Sequence, residues 1–282
     1  MRRKLRTFLF IIFAKVLTFY FTFMYIDTHS HLYEEEFRED QRETVERARE
    51  AQVGCIVLPD IDSASRSRML ELEAQYPKMM FPLVGLHPTS VHDNYKEELA
   101  AIEKQLGIHS YYGIGECGID LYWDKTYYKE QIKAFEHQLW LAKDMNFPVI
   151  IHSRDSLEVI FDILKKHPYV RGILHCFPGN AEDARLACDL GFLLGIGGVV
   201  TFKKSLMAET VKEIGIEHIV LETDCPYLAP VPYRGKRNES SYIPLIAQKI
   251  AEITGEEIKK IEKITSQNAM NLFNLHCEKV TR

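Results

Sequence analysis

The chain has no excess of positive charge, because 35 Lys and Arg residues stand against 40 Asp and Glu residues, for a net charge of −5. A polyanion is therefore not attracted to the whole molecule at long range. Any nucleic-acid substrate has to be held by local basic residues or by bound metal. Composition excludes binding by overall charge, but it neither suggests nor excludes DNA as a ligand.

The six cysteines contain no Cys-x-x-Cys pair, so their spacing does not suggest a disulfide framework. With 282 residues, 46% of them hydrophobic, the chain can bury a large core without disulfide bonds. We therefore expect reduced thiols in a cytoplasmic protein.

A long, uninterrupted hydrophobic run is also missing, although the first residues come close to one. Lys15 breaks the apolar stretch that follows Met1-Arg-Arg-Lys, and no Ala-x-Ala-like cleavage site precedes the first motif. The last apolar residues, 24–26, are needed as a strand, which leaves too short a run for a spanning helix. We expect residues 1–23 to be an extension irrelevant to the enzyme, with Met24 as a candidate initiator. A signal or membrane anchor is the alternative.

No linker, low-complexity segment or sequence repeat divides residues 24–282, so we expect a single domain there. Short runs rich in Val, Ile, Leu and Tyr alternate with segments of helical periodicity, which is typical of repeated βα units. Eight such runs predict a (β/α)₈ TIM barrel. The strand candidates are Tyr25 to Asp27, Cys55 to Leu58, Met80 to Val84, Tyr112 to Gly115, Pro148 to Ile151, Gly172 to Leu174, Leu193 to Gly195 and His218 to Leu221.

Helices are expected between these strands, for example from Arg38 to Gln52, from Tyr128 to Asn146 and from Asp155 to His167. The last of these begins at an Asp that can cap free N–H groups. The C-terminal part, Ser240 to Asn274, predicts two or three further helices.

Polar residues follow most of the strand candidates directly, at the barrel end where catalytic residues lie. They are Asp27, His29 and His31 after the first strand, His87 after the third, Glu116 after the fourth, His152 after the fifth, His175 after the sixth and Asp224 after the eighth. In a closed barrel these ends share one mouth, so the pattern predicts a metal site.

The ligand set is larger than one divalent ion needs, which favours two ions and a carboxylate that bridges them. Glu116 suits the bridge, because its two oxygens can each face one cation. His29 and His31 are two residues apart, so in an extended segment both rings point to the same side and can bind one ion. The predicted partition gives His29, His31 and Asp224 to one metal, His152 and His175 to the other, and Glu116 to both.

Catalysis would then use water that is held between the ions and made acidic by them. Asp224 is the best-placed carboxylate to accept its proton, and a role as ligand alone is the alternative. Asp27 is expected to support a ligand imidazole rather than to bind metal.

Seven strings resemble the successive motifs of the TatD family of deoxyribonucleases, and they run in order through the chain. They are YIDTHSHL at 25–32, GLHP at 85–88, GECGID at 115–120, PVIIHSRD at 148–155, HCFPG at 175–179, LETDCPYLAP at 221–230 and RGKRNE at 234–239. The resemblance implies a divalent-metal phosphodiesterase, commonly a 3′→5′ DNA exonuclease, with the six ligands in the roles given above. Ser240 stands where a proline often follows the last string, and the N-terminal extension is atypical.

Basic residues near the mouth are candidates for phosphate contacts: Arg154 after His152, and Arg234, Lys236 and Arg237 in a later loop. A solvated surface is the alternative for that loop. His87 suits a leaving-group or phosphate interaction, or a purely structural role beside Pro88.

Three cysteines, Cys117, Cys176 and Cys225, each follow a proposed ligand by one residue. Strand alternation predicts that they point away from the mouth as small packing residues.

The sequence thus predicts a hydrolase with two divalent ions (Mg²⁺, Mn²⁺ or Zn²⁺) and DNA, single-stranded or frayed, as the likeliest partner. A hydrolase of the same fold acting on a small ester, amide or lactone is the alternative within enzymes. A non-enzymatic scaffold is the alternative outside them, and it would predict lost ligands.

Overall fold

The computed structural model describes residues 24–277. The extension 1–23 lies outside the described residues, so the expectation for it stays a prediction.

Eight parallel strands form the centre of the described chain, in the order of the sequence. They are β1 (Tyr25–Asp27), β2 (Val53–Leu58), β3 (Met80–Pro82), β4 (Ile114–Asp120), β5 (Val149–Arg154), β6 (Gly172–Leu174), β7 (Phe192–Ile196) and β8 (Ile219–Leu221). Strands β1 to β3 form one sheet and β4 to β8 a second. This is the parallel α/β arrangement expected of a (β/α)₈ barrel, with its hydrogen-bond ladder interrupted at two places.

Single bridges join the two sheets at both interruptions. Val84 pairs with Ile114 next to β3 and β4, and Ser30 pairs with Cys225 beyond the ends of β1 and β8. Beside the second bridge, the N–H of Thr28 donates to the carbonyl of Leu221 over 3.0 Å. The carboxyl ends of β1 and β8 therefore lie side by side, and residues that follow them can share a site.

Helices surround the strands. They are α1 (Gln41–Glu50), α2 (Ser63–Gln75), α3 (Tyr95–Leu106), α4 (Tyr128–Met145), α5 (Leu157–Leu164), α6 (Ala181–Asp189), α7 (Met207–Ile214), α8 (Ile243–Thr254) and α9 (Ile258–Phe273). Within residues 24–277, no helix is both long and apolar enough to span a bilayer.

Strand alternation divides the core into an inner and an outer layer. On β2, Cys55 and Val57 belong to the inner cluster, whereas Ile56 and Leu58 pack in the larger outer cluster with the helices. Both faces of the strands are thus buried, as parallel sheets require. On β5, the inward side of Ile150 is also the side of the residue two positions on, His152, which brings that imidazole to the mouth.

The inner cluster is completed at its far end by the C-terminal helix. Ala269, Phe273 and Leu275, on and after α9, pack with the inner residues of the strands. Two or three further helices were expected between Ser240 and Asn274, and the structure has two α-helices there, α8 and α9.

The expectation that all six cysteines are free was wrong. Cys55 and Cys277 form a disulfide, with their Cα atoms 5.8 Å apart, a separation that suits such a bond. The two cysteines are 222 positions apart in sequence. They meet because the segment after α9 packs against the inner cluster, to which Cys55 of β2 belongs. The other four cysteines are free.

Two helix starts also differ from the expectation. Residues 35–37 form a short 3₁₀ turn, so α1 begins at Gln41 rather than at Arg38. Asp155 does not cap α5, because its backbone is left-handed, with φ of 54°, and the residue before the helix is Ser156.

Candidate metal centre

The six predicted ligands and His87 converge at the carboxyl ends of the strands. His29 and His31 follow β1, His87 follows β3, His175 follows β6 and Asp224 follows β8. Glu116 and His152 lie within β4 and β5 rather than after them, because these strands extend several residues further than expected. The convergence predicted from the sequence is present.

The carboxylate of Glu116 lies at the centre of this group and is only 2% exposed. Its Oε2 is 3.1 Å from Nε2 of His29 and 3.5 Å from Nε2 of His31. Its Oε1 is 2.9 Å from Nδ1 of His152 and 3.1 Å from Nε2 of His175. Each oxygen thus faces a different set of imidazoles.

Asp224 completes the set on the Oε2 side. Its Oδ1 lies 3.5 Å from Nε2 of His29 and 3.7 Å from Nε2 of His31, and the two imidazole nitrogens are 3.0 Å apart. The Asp224 side chain is 15% exposed, whereas the two histidines are buried. Among these three side chains, Asp224 is therefore the one that solvent reaches.

Hydrogen bonds on the far side of the His31 ring fix its tautomer. The hydroxyl of Tyr33 donates to the carbonyl of Pro59 over 2.5 Å, so it accepts from Nδ1 of His31, 2.8 Å away. With the proton on Nδ1, the lone pair of Nε2 faces Asp224 and Glu116, as a metal ligand requires.

Asp120 does the same for His152. Its Oδ2 accepts from Nε2 of His152 over 2.9 Å, which leaves the Nδ1 lone pair facing Glu116. Its Oδ1 accepts the backbone N–H groups of Tyr122 and Trp123. The sequence reasoning missed Asp120, because the strand was predicted to end at Gly115; the GECGID string at 115–120, which contains Asp120, was the available signal.

Glu222 is a second residue that the sequence reasoning missed. It is fully buried, and its Oε1 lies 3.6 Å from Nδ1 of His175 and accepts the N–H of Cys176. A side chain on Gly195 would overlap the Glu222 carboxylate, so glycine leaves the space that this group needs. Its position two residues before Asp224 was the available signal.

His87 differs from the other imidazoles in its proton position. Its Nδ1 accepts the backbone N–H of Thr89 over 3.2 Å, so in the neutral ring the proton is on Nε2. That nitrogen lies 3.3 Å from Oε1 of Glu116. Burial lowers the pKa of His87, which favours the neutral ring. His87 therefore presents a hydrogen-bond donor to the centre rather than a lone pair.

The charges at the centre suit a cation. Burial raises the pKa of Glu116, but His175, His87 and His29 outweigh it and hold the pKa well below its usual range. Burial lowers the pKa of His29 well below its usual range, and burial raises the pKa of Asp224 to about 6, although His175 and His31 lower it. Three groups of side chains at the centre have ligand atoms that all lie within 4.8 Å of one another: His29 with Glu116 and His175, His29 with His31 and Asp224, and His87 with Glu116 and His152. Imidazole nitrogens and carboxylate oxygens are the ligands that divalent metals take in proteins. The residues present therefore fit divalent metal.

Two expectations about neighbouring residues were wrong. Asp27 contacts no imidazole. Its carboxylate accepts hydrogen bonds from the hydroxyl and the backbone N–H of Thr223 and from the backbone N–H of His29, because the segment after β8, which contains Thr223, packs against it. Cys176 does not point away from the mouth, since its Sγ lies 3.9 Å from Oδ2 of Asp224. Its left-handed backbone, with φ of 43°, breaks strand alternation. Cys117 and Cys225 are buried in the outer cluster, as expected.

The predicted phosphate-binding residues differ in how free they are. Arg154 stacks on Tyr122, and Arg234 stacks on Phe202; both are exposed, as is Lys236. The guanidinium of Arg237 binds both carboxylate oxygens of Asp40 and the carbonyl of Glu36. Arg237 therefore holds its loop against the segment before α1, which weakens its candidacy as a phosphate contact.

Comparison with known proteins agrees with this geometry. The chain is 40% identical over 256 residues to a Bacillus subtilis protein named an uncharacterized metal-dependent hydrolase, YabD, covering 90% of this chain and all of that one. It is 31% identical to a Mycobacterium tuberculosis protein named an uncharacterized metal-dependent hydrolase, TatD, over 89% of this chain and 98% of the relative.

Solved structures and a family profile point the same way. The crystal structure of YjjV, a TatD homologue from Escherichia coli, superposes with a TM-score of 0.85 at 27% identity, covering 89% of this chain and 98% of that one. A TatD family protein from Entamoeba histolytica, at 22% identity, shares the fold with a TM-score of 0.78 over 90% and 99% of the two chains. The family described as TatD related DNase matches residues 26–274. The two relatives described above are both named as metal-dependent hydrolases. The chain belongs to the TatD-related DNase family.

Proposed function

We propose that this protein is a metal-dependent hydrolase that cleaves phosphodiester bonds in DNA and uses two divalent cations. One observation carries the proposal: the two oxygens of the buried Glu116 carboxylate face two separate sets of imidazoles. A single carboxylate between two nitrogen-rich sets is the arrangement by which a side chain bridges two ions.

The division of ligands follows these two sets. His29, His31 and Asp224 would hold one cation, His152 and His175 the other, and Glu116 both. When bound, the cations would offset charge on the phosphoryl oxygens and increase the acidity of a water molecule.

The residues of the chain have separate tasks around that chemistry. Asp224, the partly exposed carboxylate, would accept the proton of the attacking water. His87 would donate its Nε2 proton in a hydrogen bond to a phosphate or leaving-group oxygen. Asp120 and Tyr33 keep the ligand nitrogens of His152 and His31 unprotonated.

Support for DNA comes from the rim of the mouth and from the family. Arg154, the last residue of β5, and Arg234, on the loop after β8, are exposed cations that can contact phosphates. Exposed aromatic side chains lie beside both. The description of the matching family as DNases agrees with a DNA substrate.

The test is a cleavage assay on the purified protein with end-labelled single-stranded DNA and Mg²⁺ or Mn²⁺, run beside a panel of small esters, amides and lactones. We expect DNA cleavage that EDTA abolishes, with label released from the 3′ end before the 5′ end. Turnover of a small substrate together with intact DNA would instead establish the alternative of a small-molecule hydrolase.

A further inference from the structure

Two large aromatic side chains stand in solvent on the loop after β4. Tyr122 is 54% exposed and Trp123 is 68% exposed, with ring centroids 5.0 Å apart. Exposed neighbouring aromatic residues at the rim of a site often mark a binding surface, because their apolar faces are otherwise left in water. The loop after β4 opens at the same barrel end as the metal centre.

The backbone that carries these two rings is linked to the metal centre by one side chain, that of Asp120. Asp120 accepts the N–H of Tyr122 over 2.9 Å and that of Trp123 over 3.1 Å, and with its other oxygen it binds His152. The loop backbone is therefore held in one position before any ligand arrives, which reduces the entropy lost on binding.

Arg154 adds a cation to the same surface. Its guanidinium carbon lies 3.8 Å from the centre of the Tyr122 ring and 5.2 Å from that of Trp123. Arg154 ends β5 beside Asp120 of β4, where the two residues are paired in the sheet. The guanidinium stacks on rings rather than pairing with a carboxylate of residues 24–277, so it stays available to an anionic ligand.

We propose that Tyr122, Trp123 and Arg154 form a stacking platform that binds an unpaired nucleobase of single-stranded DNA, with Arg154 contacting the adjoining phosphate. The inference rests on the proposed function and deepens it, since it names the residues that bind the substrate strand. Aromatic rings and a guanidinium plane stack on any base, whereas bases inside a duplex have both faces covered by their neighbours.

The chain offers a direct optical test, because it contains two tryptophans, Trp123 and Trp140. Trp140 is 52% exposed on α4 and serves as the matched control. In the Trp140→Phe variant, fluorescence reports on Trp123 alone. The probe is a hydrolysis-resistant phosphorothioate oligothymidylate of about 12 nucleotides, added to the metal-loaded protein.

We expect this oligothymidylate to quench Trp123 at saturation, and we expect an abasic strand of the same length and the pre-formed duplex to quench it far less. Trp123→Ala should weaken binding of the single strand about tenfold, Trp123→Phe should restore most of it, and Trp140→Ala should leave it unchanged. Bound metal should be the same in all variants.

Equal quenching by the abasic strand, or unchanged affinity in Trp123→Ala, would overturn the platform even if the protein cleaves DNA. Quenching by single-stranded DNA without any cleavage would support the platform and refute the proposed nuclease activity. A protein that binds no DNA at all would refute both.

Discussion

A neutral imidazole can coordinate a cation only through the nitrogen that lacks the proton, so the partner of the other nitrogen decides whether a histidine serves as ligand. Asp120 accepts the ring N–H of His152 and so sets its tautomer, and Tyr33 does the same for His31. His87 receives the opposite assignment from the N–H of Thr89. The groups behind these three histidines thus leave His152 and His31 with a lone pair towards the centre, and His87 with an N–H donor.

Asp120→Asn should remove this control while keeping the loop. The amide oxygen can still accept from the N–H groups of Tyr122 and Trp123, so the amide NH₂ must face Nε2 of His152. That contact moves the imidazole proton to Nδ1, the nitrogen that faces Glu116. We expect metal affinity and DNA cleavage to fall about 10 to 100-fold, measured by metal titration and single-turnover kinetics, with little change in Tm.

The control for this variant is Asp124→Asn, a change of the same kind at an exposed residue in the same loop. It should leave both quantities unchanged. Metal affinity in Asp120→Asn equal to that of the unmodified protein would show that Asp120 does not position His152.

At the scale of elements, the loop after β8 is tied to the region of α1 by charged groups. Arg237 binds Asp40, and Arg47 of α1 binds both Asp40 and Glu239. Hydrogen bonds from Arg237, opposed by partial burial and aided by Arg47, hold the pKa of Asp40 well below its usual value of 3.8. A depressed carboxyl pKa stabilises the fold above the usual pKa, and this stability is lost as the pH falls through the lower value.

Arg237→Ala should therefore lower the thermal stability of the protein more than its affinity for DNA. The ion pair is partly exposed, so we expect Tm at neutral pH to fall by only about 2–4 °C. The difference from the unmodified protein should shrink as the pH falls below about 4, because Asp40 of the unfolded chain binds a proton there whereas Asp40 of the fold stays charged. Thermal melts from pH 7 to pH 3 measure this.

Arg234→Ala is the matched change in the same loop, because Arg234 stacks on Phe202 without holding the loop to Asp40. It should weaken DNA binding and its salt dependence at unchanged Tm. The opposite pattern, with normal Tm and lost DNA affinity in Arg237→Ala, would restore Arg237 as a phosphate contact.

The sequence predicted the strands well and some element ends poorly. Short runs of buried aliphatic residues such as 172–174 place a parallel strand within a residue or two. β4 was predicted to end at Gly115 but continues to Asp120, because its residues 117–120 pair with β5, and no local pattern reveals that pairing. The start of α5 was misplaced because Asp155 adopts a left-handed backbone, which its sequence context does not reveal.

The candidate site was also predictable in part: its central side chains could be found from the sequence, but their hydrogen-bond partners could not. Polar residues at strand ends converge in any barrel, so Glu116 and the six groups around it could be found from the sequence. The partners behind them, Asp120 and Glu222, depend on how side chains pack between neighbouring strands. The ion pair of Arg237 with Asp40 joins residues that are 197 positions apart in sequence, and no local pattern encodes it.

At the scale of the whole molecule, the mouth and the opposite end of the barrel have different tasks. The candidate ligands and the rim residues lie at the carboxyl ends of the strands, whereas α9 and the segment after it close the inner core at the other end. The Cys55–Cys277 disulfide lies in this closing region.

Counting thiols tests that disulfide. Alkylation of the denatured protein without reductant should modify four cysteines, Cys117, Cys176, Cys188 and Cys225, and alkylation after reduction should modify six. Mass spectrometry resolves the two products. Six modified cysteines without reductant would return the chain to the fully reduced state that the sequence alone suggested.

The central claim is that Glu116 joins two cations, and metal content tests it most directly. Glu116→Gln keeps the shape of the side chain but removes the negative charge between the ions, so they repel more strongly. Glu97→Gln, at an exposed position on α3, is the control.

The measurement is metal per chain, by inductively coupled plasma mass spectrometry, on proteins equilibrated with Mn²⁺ and assayed for DNA cleavage in parallel. We predict two equivalents in the unmodified protein and in Glu97→Gln, and the loss of at least one equivalent, together with cleavage, in Glu116→Gln. Two bound metals and near-normal turnover in Glu116→Gln would contradict the account.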